Sequence, residues 1–158
     1  MTLRVGQGFD VHRFSDDPSR RLVLGGVVVE GAQGLAAHSD GDALAHALCD
    51  ALLGAAALGD LGQHFPDNDP RYSGADSTLL LADVVALVAG AGHKVVNADC
   101  TVVAERPRLS PFVRAMAEEL SRILDAPVSV KATRGEGLGA IGRAEGIACL
   151  AVVLVERE

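Results

Sequence analysis

Hydrophobic and polar positions along the chain predict strands that alternate with helices. The patterns are typical of strands at residues 3–13, 21–29, 95–104, 127–133 and 146–155, and of helices at 41–58, 76–91 and 110–124. Gly25 and Gly26, together with the polar loop between the first two strands, favour a hairpin. Because strands and helices alternate, we expect a layered α/β domain with a mixed sheet covered by helices.

Polar residues at the predicted helix starts supply capping signals. Ser39 or Asp40 is the expected N-cap of the first helix, and Asp76 with Ser77 opens the second. The third helix is expected to begin at Ser110, with proline at the first helical position. The segment 59–74 combines Asp, Gly and Pro and is typical of a loop.

The first predicted helix has an unusual polar face. Leucines recur every fourth residue from Leu44 to Leu52, and Asp42, His46 and Asp50 form a polar stripe about 200° away. Solvated helix faces usually carry Lys, Arg or Glu, and this helix has none. The stripe is therefore either an ordinary solvated face or the lining of a cleft.

Asp10 and His12 are two residues apart on the first predicted strand, so their side chains share one face. With the helical His46 they offer one carboxylate and two imidazoles. Zinc accepts these ligands, and three of them leave the fourth tetrahedral position open, as in catalytic sites. An Asp-x-His pair by itself is a weak signal, because many such pairs are merely exposed strand residues.

Composition limits the possible functions. The chain has 158 residues, enough for one domain, and 49% of them are hydrophobic while few are aromatic, so the core is expected to be aliphatic. No apolar run approaches the ~20 residues that cross a bilayer, and no signal peptide is apparent, so we expect a cytoplasmic protein. Cys49, Cys100 and Cys149 are expected to be buried free thiols.

The net charge of −7 argues against a nucleic-acid surface. A phosphate-rich substrate would require a local cation to overcome this charge. The glycine-rich segment 131–146 could bring backbone N–H groups to a phosphate, although alone it has low specificity. His64 is expected to have a loop role, and His93 to lie in a surface turn.

Several motifs together resemble one family, the 2-C-methyl-D-erythritol 2,4-cyclodiphosphate synthases. The resemblance covers almost the whole chain. It rests on GFDVHRF near the start, the block AHSDGDALAHALCDALLGAAALGDLGQHFPDNDP at residues 37–70, then GADS, ERPRLSP and GLGAIGRAEGIA.

The resemblance implies a metal-assisted cyclisation. The 2-phosphate of 4-diphosphocytidyl-2-C-methyl-D-erythritol 2-phosphate attacks the β-phosphorus of the diphosphate, and CMP leaves. Asp10, His12 and His46 match the positions that hold a divalent metal, usually zinc, with Mn²⁺ or Mg²⁺ possible. Glu136 matches the ligand of a second Mg²⁺ or Mn²⁺ that binds with the substrate. Such enzymes are phosphorus–oxygen lyases of the non-mevalonate isoprenoid pathway.

Further site residues follow from the same resemblance. His38, Thr133 and Arg134 match positions that act on the transferring phosphate, with His38 in a mobile loop. The remaining substrate contacts are expected at Ser39, Asp60, Leu61, Gly62, Phe65, Pro66, Asp67, Asn68, Asp69, Ala104, Arg108 and Arg143. Ala104 and Arg108 lie in the expected cytidine pocket. Arg143 also resembles, with Glu145, residues that face a central cavity able to take an isoprenoid diphosphate.

The resemblance also implies an architecture. It is an α/β sandwich with a mixed four-stranded sheet and three helices on one face, assembled as a homotrimer with active sites between subunits. Nucleic-acid and membrane partners are not expected. The apolar last strand at residues 146–155 is consistent with burial by a neighbouring subunit.

Two positions depart from the family pattern. Arg134 stands where the family usually has the middle of three threonines, and Ala140 replaces a frequent aromatic residue. Arg134 either neutralises phosphate charge, with a geometry unlike that of threonine, or points to solvent while Thr133 supplies the polar contact. Two other functions stay open: a metal-dependent phosphohydrolase that uses water, and a non-enzymatic trimeric scaffold that binds isoprenoid diphosphates.

Overall fold

A computed structural model describes residues 1–157 of the chain. In chain order its elements are β1 (Thr2–Arg13), β2 (Arg21–Leu24), β3 (Val27–Gln33), α1 (Ala43–Ala56), α2 (Leu61–His64), α3 (Ser77–Gly90), β4 (His93–Val103), α4 (Val113–Leu124), β5 (Val128–Thr133), α5 (Gly139–Gly142) and β6 (Gly146–Arg157). A short 3-10 turn, Pro70–Tyr72, follows α2. The predicted loop at 59–74 therefore contains two short helical segments.

A mixed four-stranded sheet forms the centre of the molecule, with the strand order β1-β6-β4-β5. Strand β6 is antiparallel to both β1 and β4, whereas β4 and β5 are parallel. The long helices α1, α3 and α4 pack on one face, and α1 lies across β1 and β6. The fold class predicted from the sequence is confirmed.

Strands β2 and β3 form a separate hairpin, which corrects the single strand predicted at 21–29. The chain turns at Gly25 and Gly26, whose φ values of 58° and 74° favour glycine. Their two backbone N–H groups donate to the two carboxylate oxygens of Asp42 at 2.8 and 2.7 Å. The hairpin turn is thereby attached to the start of α1.

Helix α1 is buried on nearly all sides. Its leucine stripe is fully buried, and Asp42 on the opposite stripe is also fully buried. Asp42 is the N-cap, since its carboxylate accepts from the backbone N–H of Ala45, and not Ser39 or Asp40 as predicted. Gly8 of β1 lets α1 approach, because a Cβ there would lie 1.9 Å from the Ala47 carbonyl oxygen.

The first residues of α3 and α4 and the position of His93 can be compared with the remaining predictions. Helix α3 begins after its N-cap Asp76, as predicted. Helix α4 begins three residues later than predicted, at Val113, with Phe112 as an N-cap that forms no side-chain bond. His93 is buried at the start of β4, and its Nδ1 has no partner within residues 1–157, so its predicted place in a surface turn is wrong.

The sheet face opposite the helices is largely apolar along β1 and β6. Its exposed large apolar side chains are Leu3, Val5, Phe9, Val11, Leu150 and Val152, and Gln7 is exposed among them. Within residues 1–157, no helix is long and apolar enough to cross a membrane. The three cysteines are buried free thiols, as predicted, and burial raises the pKa of Cys100 to about 12.

Candidate metal centre and flanking pockets

Three predicted ligand residues converge where β1 meets α1. Asp10 and His12 project from β1 toward the helix, and His46 projects back from α1. One oxygen of Asp10, Oδ2, lies 2.9 Å from His12 Nε2 and 3.1 Å from His46 Nδ1. One ligand atom from each residue lies within 4.8 Å of the others. These residues form a potential site for a divalent metal.

Each histidine is held by the ring nitrogen that faces away from Asp10. His12 Nδ1 lies 2.8 Å from the carbonyl oxygen of Ala36. Because a carbonyl only accepts hydrogen bonds, Nδ1 carries a proton, and Nε2 is the ring nitrogen that faces Asp10 and the metal position. His46 Nε2 lies 2.8 Å from Ser77 Oγ. Such outer contacts orient imidazoles that bind metals.

The charges at this centre suit a cation. Burial disfavours the ionised form of Asp10, but hydrogen bonds with His12 and His46 outweigh it and lower the pKa of Asp10 to about 2. The hydrogen bond to Asp10 raises the pKa of His12, and burial opposes that shift. An anionic carboxylate beside two imidazoles is a donor set that zinc and related ions accept. The residues therefore fit a metal.

A cleft of about 480 Å³ surrounds the metal centre, a size typical of small-molecule sites. Nine predicted site residues line it: Asp10, His12, His38, Ser39, His46, Leu61, Gly62, Phe65 and Asp67. Tyr72 and Leu80 also line the cleft and were not predicted from the sequence. The Tyr72 ring packs edge-on against the Phe65 ring, with 5.3 Å between the ring centroids. No motif spacing marked these two residues, since only the folded loop brings them to the cleft.

Four predicted substrate residues of the loop at 59–74 do not line the cleft. Asp60 caps α2 by accepting from the backbone N–H of Gln63. Pro66 and Asn68 lie in the same loop outside the lining. The Asp69 carboxylate pairs with Arg71, while its carbonyl oxygen lies 3.1 Å from Nε2 of His38. The loop thus holds His38 through its backbone.

Asp50 lines the cleft but does not contact the metal ligands. Its carboxylate accepts from the backbone N–H of Leu61 at 2.7 Å. Burial is the main cause that raises the pKa of Asp50. Asp50 therefore holds the first residue of α2 at the edge of the cleft. The cleft alternative for the polar stripe is confirmed for His46 and Asp50, which line the cleft, whereas Asp42 is the buried N-cap of α1.

A second pocket of about 460 Å³ lies at the ends of β4 and β5. The predicted residues Ala104, Arg108, Thr133 and Arg134 line it, together with Glu105, Pro107, Leu109, Ser110 and Ala132. An Arg134 nitrogen lies 2.9 Å from the Glu105 carboxylate, which also accepts from the backbone N–H of Gly135 at 3.0 Å. Although Arg134 is two-thirds exposed, it is paired at the pocket and does not simply point to solvent.

The glycine-rich segment carries the remaining predicted residues. Glu136 is exposed, has a φ of 53°, and does not join the cluster of Asp10, His12 and His46. Arg143 is exposed and forms an ion pair with Glu145 at 2.6 Å. Ala140 lies in the short helix α5. These residues surround neither the metal centre nor the second pocket.

The two pockets lie at the same end of the sheet but beside opposite edge strands. Strands β1 and β4 run in the same direction, since both are antiparallel to β6, and β5 is parallel to β4. The order β1-β6-β4-β5 therefore separates the two edge strands by three spacings, roughly 14 Å. The pockets share no lining residue.

Comparisons with known proteins agree over the full length. The sequence profile of the YgbB family matches residues 3–156. A curated 2-C-methyl-D-erythritol 2,4-cyclodiphosphate synthase from Syntrophomonas wolfei is 54% identical over 158 residues, covering 98% of this chain and 99% of the relative.

Solved structures are similar as well. A 2C-methyl-D-erythritol-2,4-cyclodiphosphate synthase in a CDP-bound form has a TM-score of 0.87 and 39% identity, covering 97% of this chain and 100% of the other. The bifunctional IspDF of Campylobacter jejuni has a TM-score of 0.94 and 43% identity, covering 99% of this chain and 43% of that longer chain. Because the profile spans nearly the whole chain and a curated relative matches end to end, this chain belongs to the YgbB family, the family of the 2-C-methyl-D-erythritol 2,4-cyclodiphosphate synthases, as the sequence resemblance predicted.

Proposed function

We propose that this chain converts 4-diphosphocytidyl-2-C-methyl-D-erythritol 2-phosphate to 2-C-methyl-D-erythritol 2,4-cyclodiphosphate with release of CMP. The single observation that carries the proposal is the convergence of Asp10, His12 and His46 in a cleft, in a chain whose full-length relatives bear this enzyme's name. The reaction would place the chain in the non-mevalonate isoprenoid pathway as a phosphorus–oxygen lyase.

The chemistry asks for positioning and charge stabilisation more than for a base. The nucleophile is an anionic phosphate oxygen of the substrate itself, and the bond that breaks joins the β-phosphorus to the oxygen of CMP. Phosphoryl transfer of this kind depends on holding the groups in line and stabilising their charge. His38 at the cleft is assigned to the transferring phosphate, and the loop residues Leu61, Gly62, Phe65 and Asp67 to the methylerythritol portion.

Asp10, His12 and His46 would hold the resident metal, and Zn²⁺ suits one carboxylate and two imidazoles best. When bound, such an ion supplies Lewis-acid stabilisation of phosphate oxygens. Mn²⁺ or Mg²⁺ is the alternative occupant. Glu136 is assigned to a second Mg²⁺ or Mn²⁺ that arrives with the diphosphate. These local cations would offset the net charge of −7.

The second pocket is assigned to the cytidine nucleotide. Two related structures are described as a CDP-bound form and a CDP complex, which supports a nucleotide ligand for this family. Ala104 and Arg108 line this pocket, beside Thr133 and Arg134. We assign Thr133 and Arg134 to the phosphates, and Arg143 to a further nucleotide or phosphate contact.

A homotrimer would unite the two pockets. One chain keeps its metal cleft and its second pocket apart at opposite edges of the sheet, so a substrate that needs both requires a neighbouring copy. The exposed apolar side chains of β1 and β6 supply a surface for that contact. A central cavity flanked by Arg143 and Glu145 could then take an isoprenoid diphosphate. The buried free cysteines suit a cytoplasmic location.

One experiment separates this function from its alternatives. Purified protein is incubated with the diphosphocytidyl substrate, and products are identified by phosphorus NMR. We expect CMP and a cyclic diphosphate, abolished by a chelator and restored by added Zn²⁺. Free phosphate would support the phosphohydrolase, and no turnover with retained isoprenoid diphosphate binding would support the scaffold.

The variant His46→Ala tests the ligand role directly. We expect turnover to fall to background while the assembly state measured by sedimentation is retained, because the side chain contributes to the metal centre and not to the exposed sheet face. Turnover equal to that of the unmodified protein would contradict the assignment of His46 as a ligand.

A further inference from the structure

Ser77 and Asp40 form a hydrogen-bonded chain behind His46 that no site motif revealed. Ser77 is fully buried at the first turn of α3. Its Oγ lies 2.8 Å from Nε2 of His46 and donates to an oxygen of Asp40. The backbone N–H of Ser77 donates to the other Asp40 oxygen at 3.1 Å. Asp40 therefore holds both the hydroxyl and the backbone N–H of Ser77.

The polarity of the chain follows from its carboxylate end. Asp40 accepts from the backbone N–H of Asp42 at 3.1 Å in addition to its two contacts with Ser77. An ionised carboxylate can only accept, so the hydroxyl proton of Ser77 points at Asp40. A hydroxyl has one proton, so the Ser77 oxygen presents a lone pair to His46 Nε2, which must then carry a proton.

Ser39 supports the same arrangement. Its Oγ lies 3.2 Å from His46 Nε2 and accepts from the backbone N–H of Gly41 at 3.2 Å. This contact is longer than the 2.8 Å between Ser77 Oγ and His46 Nε2. An unprotonated Nε2 would place its lone pair against the lone pair of Ser77. Ser39 is therefore a second, weaker acceptor for the same N–H group.

We propose that Ser77, oriented by Asp40, is a positioning residue that fixes His46 as the Nε2–H tautomer and so keeps the Nδ1 lone pair directed at the metal position beside Asp10. The carbonyl of Ala36 does the equivalent for His12 from the opposite nitrogen. The proposal rests on the metal centre of the proposed function and not on the reaction that the centre performs.

Zinc affinity provides the first test. The variant Ser77→Ala removes the acceptor, and loss of such an outer partner weakens metal binding about 10–100-fold. The matched control is Thr78→Ala, one residue further along the same helical turn, whose hydroxyl donates to the exposed Asp76 at 2.6 Å. Dissociation constants are measured by competition with a chromogenic chelator. Equal zinc affinities for the two variants would overturn the proposal.

Nitrogen NMR of the unmodified, zinc-loaded protein provides a test that needs no variant. The coupling pattern of the ring nitrogens shows which of them carries a proton. We expect His46 to carry its proton on Nε2 and to face the zinc with Nδ1, and a proton on Nδ1 would overturn the proposal even if Ser77→Ala does not fold.

A failure of the proposed function can be distinguished from a failure of this inference. A protein that binds zinc in a Ser77-dependent way but yields no cyclic diphosphate would keep this inference and refute the synthase assignment. Cyclic product from a protein whose zinc affinity does not depend on Ser77 would support the synthase assignment and refute this inference.

Discussion

At the scale of single residues, alternation along a strand placed two of the three ligands, and contacts across the fold completed the site. The two-residue spacing of Asp10 and His12 predicted a shared face, the polar stripe of the first helix indicated His46, and the resemblance matched all three to metal positions. Nothing local indicated that Ser77 would meet His46, since 31 residues separate them. Contacts of this length depend on how helices pack, which a single sequence does not state.

Arg134 is a predicted departure from the family pattern that lines a proposed binding pocket. Its guanidinium is paired with Glu105 and largely exposed, so it can attract a diphosphate but is screened by salt. We expect Arg134→Ala to weaken CDP binding by about threefold to tenfold at low ionic strength. Titration calorimetry at about 0.01 M and about 1 M salt measures this, and the loss should shrink at the higher concentration.

Arg114→Ala is the matched control for that measurement. Arg114 is an exposed arginine in an ion pair with Glu118 on α4, and it does not line the second pocket. Its removal changes the net charge by the same amount. If both variants lost CDP affinity equally, the effect of Arg134 would be general electrostatics and not a local contact.

At the scale of elements, hydrophobic patterns predicted the major strands and helices, and the errors lie at their ends. The pattern at 21–29 showed continuous apolar residues, but the turn at Gly25 and Gly26 depends on a carboxylate supplied by the N-cap of α1. The N-cap of α1 was misplaced at Ser39 or Asp40 for a related reason. The Asp40 carboxylate accepts instead from the backbone N–H of Ser77 at the start of α3. End positions are set by such partners and not by periodicity.

Asp42 connects two elements, and its loss should therefore cost more than the loss of an ordinary cap. Asp42→Ala leaves the N–H groups of Gly25, Gly26 and Ala45 without their acceptor. We expect the free energy of unfolding to fall by about 3 kcal/mol or more, measured by urea denaturation at fixed protein concentration. Asp76→Ala, which removes the exposed N-cap of α3 alone, should cost about 1 kcal/mol. Equal losses would show that Asp42 acts only as a cap.

Gly8, at the contact between β1 and α1, and Gly54, on the exposed side of α1, should respond to alanine with opposite signs. Gly8→Ala places a Cβ against the Ala47 carbonyl oxygen, and we expect a loss of about 1–3 kcal/mol. Gly54, inside α1, has open space on its outer side, and a Cβ added there would meet no atom beyond its own helix within 4 Å. Gly54→Ala should therefore stabilise the protein by up to about 1 kcal/mol. Thermal unfolding of both variants checks the pair, and a destabilising Gly54→Ala would contradict the open space seen there.

At the scale of the whole molecule, the sheet has one face covered by helices and one face left apolar. The pattern of β6 alone suggested burial by a neighbour, and the structure shows that half of its side chains already pack against α1 and the core. Leu150 and Val152, with the outward residues of β1, form the exposed surface. A sequence shows which strands are apolar, but only the fold shows which side of each strand remains uncovered.

Placing a charge on that face tests the proposed trimer. Val152 lies on β6 with 44% of its surface exposed. In a closed assembly, Val152→Glu would bury like charges close to one another, which is unfavourable. We expect sedimentation velocity to show monomers in place of trimers, with zinc bound but turnover lost, because each site would lack its neighbour's nucleotide pocket. Leu79→Glu is the control, an exposed leucine on α3 away from the sheet face. Full turnover by a monomeric Val152→Glu protein would show that one chain suffices and that its two pockets do not need a neighbour.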